Sequence, residues 1–181
     1  MKVCRNCGKS FKPSYSTLQK VCSFECSIEL SKKNQAKKEK KAWRKEKKER
    51  KEKLKSYSDH LKELQVVFNT WIRLRDHGKG CISCDVPIKK ENAGHYYSVG
   101  GFPELRFEPL NVHLQCEACN THLHGNLIEY RKKLVKKIGQ KNMDWLDGPH
   151  KPKKYSVEEL KGMKVIYKEK IKYLKKNLDK V

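Results

Sequence analysis

Two cysteine pairs, Cys81-Ile-Ser-Cys84 and Cys116-Glu-Ala-Cys119, enclose the stretch that decides how this chain folds. Each pair supplies two thiolates from one tight turn, and four thiolates satisfy the tetrahedral coordination of zinc. The pairs are separated by 31 residues, whereas a plain zinc ribbon has roughly 15 to 20 residues between its pairs. We therefore predict a structural zinc site whose long insertion carries a β-hairpin.

The insertion contains two segments that we predict to be the strands of this hairpin, residues 94–99 and residues 110–115. Because side chains alternate along a strand, the second segment separates apolar from polar residues. Val112 and Leu114 share one face, and the other face carries Asn111, His113 and Gln115. One face can therefore pack while the other lines a site.

Helical spacing begins after the second cysteine pair. Asn120 and His124 are four residues apart, which predicts that both side chains lie on one face of a helix, as two ligands of one ion must. Gly139 can end this helix. Its apolar positions are Leu127, Tyr130, Leu134 and Ile138.

Four further cysteines lie near the N-terminus, namely Cys4, Cys7, Cys22 and Cys26. Gly8 can take the positive φ that follows a zinc-binding turn, and Ser23 is a candidate N-cap. We predict a small Cys4 module of treble-clef-like shape with a structural zinc, direct contact with bases being the alternative. Disulfides in a secreted protein are the alternative for all eight cysteines, but the Cys-x-x-Cys spacing and the lack of an apolar N-terminal signal favour metal.

The total charge of +22 is unevenly distributed along the chain. Residues 32–55 contain fourteen Lys or Arg and four Asp or Glu, and residues 131–181 contain seventeen and six. Residues 56–130, by contrast, carry a net charge of −2. Two basic arms therefore flank a nearly neutral core, which suits a polyanion held by the arms while chemistry takes place between them.

Three other segments are predicted to be helical. Residues 31–57 are rich in Lys and Glu and have no continuous apolar stripe, which predicts a solvated basic helix that binds phosphates, a plain spacer being the alternative. Residues 58–77 repeat apolar side chains every three or four positions, so we predict a helix with one buried face. A capping box at Ser156 and Glu159 begins the last helix.

The last helix carries an apolar stripe opposite its lysines. We predict that the stripe docks on the rest of the chain, and self-association as a homodimer is the alternative because the spacing is heptad-like. The stripe consists of Leu160, Met163, Tyr167, Ile171, Leu174 and Leu178.

The central stretch resembles the HNH or ββα-metal nucleases, in the variety whose hairpin and helix are fixed by a Cys4 zinc. More narrowly, it resembles the NinG/Rap family of lambdoid phage recombination proteins. The matching segments are residues 93–100 (Ala-Gly-His-Tyr-Tyr-Ser-Val-Gly), 105–107 (Leu-Arg-Phe), 111–116 (Asn-Val-His-Leu-Gln-Cys) and 124–131 (His-Gly-Asn-Leu-Ile-Glu-Tyr-Arg).

The resemblance implies roles for four residues. His95 is the general base that activates water, since its pKa suits proton abstraction near neutral pH. Asn111 holds the hairpin through backbone hydrogen bonds. Asn120 and His124 bind a catalytic Mg2+ or Mn2+ that receives the charge of the leaving 3′-oxygen. The implied products are a 5′-phosphate and a 3′-hydroxyl.

One position departs from the HNH pattern. Gly94 stands where many of these nucleases have an acidic or histidine metal ligand. We expect His113 or His122 to supply the missing ligand, or water and DNA phosphate to complete the coordination. The alternative is a degenerate site that only binds DNA.

These patterns together predict an α+β protein with a small HNH-like core stapled by zinc, an N-terminal Cys4 module and long basic helices. The predicted segments are residues 1–30 (zinc module), 31–57 (basic arm), 58–147 (nuclease domain with the second zinc) and 148–181 (basic C-terminal helix).

The predicted activity is that of a metal-dependent endonuclease that cleaves branched DNA, such as Holliday junctions, in phage recombination. The branch preference is implied by the resemblance alone. The alternatives are an HNH nicking enzyme without branch preference and a non-catalytic zinc protein that binds DNA as a recombination accessory.

The expected partners are DNA and phage or host recombination proteins, in the host cytoplasm at the nucleoid. No membrane partner is expected, because the sequence has no run of about 18 apolar residues.

Overall fold

The chain divides into two units, Met1–Lys55 and Ser56–Val181. The computed structural model describes residues 1–178, so the end of the predicted C-terminal helix, residues 179–181, lies outside the described residues. The division into four functional segments stays a prediction. Among the described helices, none has a stretch both long and apolar enough to cross a bilayer.

The N-terminal unit is a small cysteine module followed by one long helix. Strands β1 (Lys2–Val3) and β2 (Ser10–Phe11) pair antiparallel, and α1 spans Phe24–Lys53. Gly8, between the strands, has φ +75°. The Ser23 side chain accepts a hydrogen bond from the Cys26 amide at 3.3 Å, so both the positive φ and the N-cap are confirmed.

Helix α1 is solvated along its whole length. None of its residues is buried, and its ion pairs, such as Arg50–Glu46 at 2.6 Å, join residues four apart on the surface. Trp43 is 58% exposed, with the Lys47 ammonium 4.8 Å from its ring centroid. Thirty residues of α-helix extend roughly 45 Å. The basic helix is confirmed, and its role in phosphate binding stays a prediction.

The second unit surrounds a two-stranded hairpin with helices. Strands β3 (Glu91–His95) and β4 (Val112–Cys116) pair antiparallel, with Glu91 opposite Cys116 and His95 opposite Val112. The predicted hairpin is therefore present, but its first strand ends at His95 instead of Val99. The helices are α2 (Tyr57–Arg75), α3 (Leu127–Ile138), α4 (Gln140–Asp147) and α5 (Val157–Leu178).

Helices α2 and α5 form the first core together with one face of the hairpin. The Phe68 ring meets Tyr167 edge-on, with centroids 5.0 Å apart, and the same cluster includes Val112 of β4. Both hydrogen bonds of the capping box at Ser156 and Glu159 are present. The docking of the α5 stripe is confirmed, although Leu178 at its end is 45% exposed.

Helices α3 and α4 form the second core on the opposite face of the hairpin. Tyr130 and Leu134 of α3 pack against Met143 and Leu146 of α4, and all four side chains are buried. Gly139 ends α3 with φ +81°, as predicted. Helix α4 was not predicted, because eight residues with two core positions are too few for a periodic signal.

Asp76 ties α2 to the hairpin and to α3. Its carboxylate is 1% exposed, receives hydrogen bonds from Arg75 and the Leu114 amide, and lies 3.2 Å from the Lys137 ammonium. Burial by itself would raise the pKa of Asp76, but its contacts with His113 and Arg75 and the charges of Arg75 and Lys137 hold it well below its ordinary value. The carboxylate is therefore ionised whenever the unit is folded near neutral pH.

We expect Asp76→Asn to lower the free energy of unfolding by about 3–5 kcal/mol, because the amide leaves two partly buried cations without a counter-charge. Urea unfolding followed by tryptophan fluorescence measures the change. The matched control is Asp85→Asn, whose side chain is 97% exposed beside Lys133 and should cost about 0–1 kcal/mol. Equal losses for the two variants would contradict the proposed role of Asp76.

Candidate functional site

Each group of four cysteines brings its sulfurs together. Within each group the four sulfurs lie within 4.8 Å of one another. Sulfur pairs are 3.7 Å apart for Cys84 and Cys116, and 3.5 Å apart for Cys7 and Cys22. A tetrahedral zinc with Zn–S bonds of about 2.3 Å would set its sulfurs about 3.8 Å apart. All eight cysteines are free thiols, so the disulfide alternative is wrong and both groups can hold zinc.

Backbone amides around the second group favour thiolates. The amides of Cys116 and Ser83 donate to Cys81 Sγ at 3.3 and 3.4 Å. Burial works against ionisation of Cys81, yet these amides bring its pKa below the ordinary value. Burial and neighbouring sulfurs raise the pKa of Cys119 to about 12. The amides favour ionisation of Cys81, and a bound cation would be needed to ionise Cys119 and complete a set of four thiolates.

The His95 ring is oriented by a backbone carbonyl. His95 is the last residue of β3, and its Nε2 lies 3.0 Å from the Arg106 carbonyl oxygen. A carbonyl can only accept, so Nε2 carries the proton and Nδ1 keeps a free lone pair. Burial lowers the pKa of His95, the carbonyl contact raises it and the Arg106 charge lowers it, with a net downward shift. The ring is therefore neutral at pH 7 and able to accept a proton.

Asn111 fixes the loop that contains this carbonyl. It is fully buried, its Oδ1 accepts from the Tyr97 amide at 2.7 Å, and its Nδ2 donates to the carbonyls of Tyr97 and Leu105. The backbone hydrogen bonds expected of Asn111 are thus present. They hold the residue before Arg106, and hence the acceptor of His95, at a set distance from β3.

His113 does not face an open site, contrary to expectation. It is 3% exposed, Arg75 donates to its Nδ1 at 2.9 Å, and its Nε2 donates to the Leu110 carbonyl at 3.1 Å. Every residue of β4 is buried, because the end of α2, Tyr130 of α3 and the loop residues Ser83 and Gly125 cover the face that was expected to line a site. Both ring nitrogens of His113 are occupied, and its pKa is lowered first by burial, so the side chain serves packing in this structure.

The space beside Gly94 is filled by Gln115. A Cβ on Gly94 would lie 2.0 Å from Gln115 Oε1, so no larger residue fits without rearrangement. Gln115 is fully buried, its Nε2 donates to Ser83 Oγ at 2.7 Å and to the Gly125 carbonyl at 2.6 Å, and its Oε1 has no hydrogen-bond partner. The glycine is therefore a packing requirement of this hairpin.

Asn120 and His124 do not share a helix face. Asn120 lies in a π-helical turn, Ala118–His122, and His124 follows it with φ +47°. The turn closes through wide hydrogen bonds, including the Gly125 amide to the Cys119 carbonyl at 2.8 Å. The helical prediction was wrong because the second cysteine pair begins a knuckle instead of a regular helix. The side chains of His122 and His124 are both exposed.

Gln115 nevertheless brings the turn and the end of β3 together. It contacts Gly94, next to His95, and it binds the carbonyl of Gly125, next to His124. The Tyr130 hydroxyl donates to the Gly94 carbonyl at 2.9 Å and adds a second link from α3. In the part of the chain that the structure describes, no third group of three His, Cys, Asp or Glu with clustered ligand atoms accompanies the two cysteine groups.

Sequence reasoning missed three residues that shape this region. Arg75 and Asp76 lie at the end of a predicted helix, where the sequence shows no special pattern. Arg106 lies in the matching segment 105–107 and has no distinguishing pattern of its own. Arg75 donates to the Pro109 carbonyl, 34 residues away along the chain, and Arg106 donates to Gln65, 41 residues away. No local pattern carries such information.

Comparison with known proteins matches the central stretch and nearly all of the remaining chain. A family model described as "Bacteriophage Lambda NinG protein" matches residues 1–177. The chain belongs to the NinG family. The match includes both cysteine groups and the hairpin.

Phage proteins named "Protein ninG" are similar to this NinG family chain over nearly its whole length. The protein of Escherichia phage lambda is 36% identical, covering 95% of this chain and 92% of the relative. Those of Escherichia phage 933W and Salmonella phage P22 are 34% and 36% identical, covering 96% and 95% of this chain and 94% and 93% of the relatives. No solved structure matches, so the HNH-like description of the NinG family hairpin stays a prediction.

We expect the purified protein to contain two zinc ions, and Cys116→Ser and Cys7→Ser each to release one, because a Cys4 site loses its closed coordination with one thiolate. Metal analysis after gel filtration measures the content. His124→Ala, outside both groups, is the control and should keep two ions. Zinc-free parent protein would refute both assignments.

We expect Gly94→Ala to destabilise the protein by about 1–3 kcal/mol through overpacking against Gln115. Thermal unfolding measures this, with Gly100→Ala as the control, since a Cβ at Gly100 meets nothing within 4 Å. Gln115→Ala should suppress the effect in a double-mutant cycle. Additive losses would show that the two residues do not oppose each other.

Proposed function

We propose that this NinG family chain is a metal-dependent DNA endonuclease whose general base is His95. The observation that carries the proposal is the neutral His95 ring, with Nε2 held by the Arg106 carbonyl and Nδ1 left with its lone pair. A base whose second nitrogen is fixed by an acceptor keeps one tautomer and one orientation. The depressed pKa keeps the ring in its basic form at pH 7.

In the proposed reaction, His95 Nδ1 takes a proton from a water that attacks the phosphorus of a DNA phosphodiester. The Asn111 bonds to Tyr97 and Leu105 hold the loop during this step, so the ring does not swing away from the water. The bond from phosphorus to the 3′-oxygen then breaks, and the leaving oxygen takes a proton from solvent water, which gives a 5′-phosphate and a 3′-hydroxyl.

Exposed His124 is the residue that would hold the catalytic Mg2+ or Mn2+, with Asn120 of the preceding π-helical turn as the second expected donor, although the two do not share a helix face. The amide oxygen, water and phosphate oxygens are of the kind that such an ion prefers, and the imidazole would be the one softer ligand of the set. The ion would supply positive charge at the leaving oxygen. His113 is removed from the ligand set by its burial, and Gly94 by the absence of a side chain.

The charge distribution supports DNA as the substrate. Residues 32–55, nearly all within exposed helix α1, carry a charge of +10. Exposed Lys and Arg release counterions when they meet phosphates, which binds DNA regardless of sequence. We further propose, from NinG family membership, that branched recombination intermediates such as Holliday junctions are the preferred substrates in the host cell.

A non-catalytic zinc protein that binds DNA in recombination is the second candidate. The specific observation in its favour concerns the ligands proposed for a catalytic ion. These are Asn120 and His124, which carry no negative charge and lie in turns instead of on one helix face. A titration of divalent ions in a nicking assay distinguishes the two candidates.

We expect His95→Ala to reduce cleavage of a synthetic four-way junction by about 10²–10⁴-fold, the contribution of a general base. Zinc content and DNA affinity should remain unchanged, because the ring contacts neither cysteine group. His77→Ala, on an exposed histidine beside Glu91, is the control and should cleave normally. Full activity of His95→Ala would remove the proposed base.

The branch preference has its own measurement. Linear and four-way substrates of equal length are compared at fixed salt concentration. Equal cleavage rates would leave an endonuclease without selectivity for branches.

A further inference from the structure

Arg106 presents a guanidinium that is fixed along one edge. Its Nε donates to Gln65 Oε1 at 2.7 Å, and Gln65 Nε2 in turn donates to Asn69 Oδ1 at 2.7 Å. Both partners project from the same helix, α2, one turn apart. The guanidinium also lies over the Phe107 ring, with its carbon 5.6 Å from the ring centroid. Its plane is therefore set before any ligand arrives.

The other edge of this half-buried guanidinium is left without a protein partner within residues 1–178. Among the described residues, no hydrogen-bond acceptor or carboxylate partner is found for Nη1 or Nη2 of Arg106. Arg75, by comparison, donates to Asp76 and to the carbonyls of Pro109 and Val112, and Arg131 forms two bonds with Asp147. A partly buried cation without a counter-charge is costly unless a ligand completes it.

Arg106 also forms a hydrogen bond with His95, the proposed base. The Arg106 carbonyl accepts from His95 Nε2 at 3.0 Å, so its main chain orients the ring while its side chain carries a positive charge nearby. That charge is felt at the ring, since it contributes to lowering the pKa of His95 after burial. A ligand bound by Arg106 is consequently held near the base.

We propose that Arg106 binds a phosphate of the DNA backbone through Nη1 and Nη2 and so positions the strand against His95. The planar fork of arginine matches two phosphate oxygens, and the pair of charge-assisted hydrogen bonds fixes both distance and orientation. The site thus rests on the proposed nuclease function, but phosphate binding by Arg106 does not itself require cleavage.

The test measures DNA binding without divalent ions, so that no cleavage occurs. Fluorescence anisotropy gives the affinity for duplex and four-way DNA over a series of NaCl concentrations. Arg106→Met keeps the aliphatic stem and removes the charge. We expect about tenfold weaker binding at low salt and a salt slope smaller by about one, as for the loss of one phosphate contact.

Two further variants separate contact geometry from general charge. Arg106→Lys should keep the salt slope of the parent but lose at least tenfold in cleavage rate, because an ammonium cannot form the two-pronged contact. Arg131→Met is the control, since Asp147 already neutralises that arginine, and its slope should stay unchanged. Melting temperatures of all variants confirm that they fold.

The outcomes are distinguishable. Unchanged affinity and slope in a folded Arg106→Met protein would overturn the proposal, as would a parent that does not bind DNA. A reduced slope without cleavage by any form of the protein would support the phosphate site and refute the nuclease function. In a set of DNAs that each carry one neutral methylphosphonate, we expect one position of the replacement at which parent and Arg106→Met bind with equal affinity.

Discussion

The cluster of Cys81, Cys84, Cys116 and Cys119 is the constraint on which the second unit depends. Cys116 is the last residue of β4 and pairs with Glu91, the first residue of β3. Fixing this end fixes the register, because a slip by one residue would turn every side chain of the hairpin to the opposite face. His95 is thereby placed at the other end, opposite Val112 and next to the loop that Asn111 holds.

Strand β4 has no open face, and this determines how its polar residues are used. Helices α2 and α5 cover the side of Val112, while the end of α2 and Tyr130 of α3 cover the side of His113, whose ring lies 6.3 Å from that of Tyr130. Buried polar groups must find partners inside the protein. Arg75 and Asp76 meet this need for His113, and Ser83 and Gly125 meet it for Nε2 of Gln115, whose Oε1 is the exception. The histidine at the end of β3, His95, is half-buried, and His124 in the knuckle is exposed.

The charged and titratable residues of this NinG family chain are of two kinds, those that are solvated and those whose orientation is fixed by neighbouring elements. Basic side chains are concentrated in α1 and in the C-terminal segment, and in the proposed function their field would attract nucleic acid without reading its sequence. In the nearly neutral stretch of residues 56–130, by contrast, several charged side chains are held in a defined geometry by neighbouring elements, as Arg75 and Asp76 are. Arg106 and His95 are of this second kind, since α2 and the loop carbonyl set their orientations.

Elements with a local signal were predictable from the sequence. The cysteine spacing gave both metal groups, apolar periodicity gave α2, α3 and α5, and the caps at Ser23 and Ser156 follow from side chains that bind the nearest free amides. The bonds of Asn111 were expected through family resemblance, and the structure contains them.

The remaining features arise from contacts between distant segments. Gln115 fills the space over Gly94, the end of α2 and Tyr130 of α3 bury His113, and the knuckle after Cys116 turns His124 out of the helix that its spacing predicted. These outcomes depend on which surfaces meet in three dimensions. The sequence by itself determined the cysteine groups, the charge distribution and the principal helices, because each depends on residues close together in the chain. Only the tertiary structure decided which histidines remain accessible, because burial depends on the elements that pack around them.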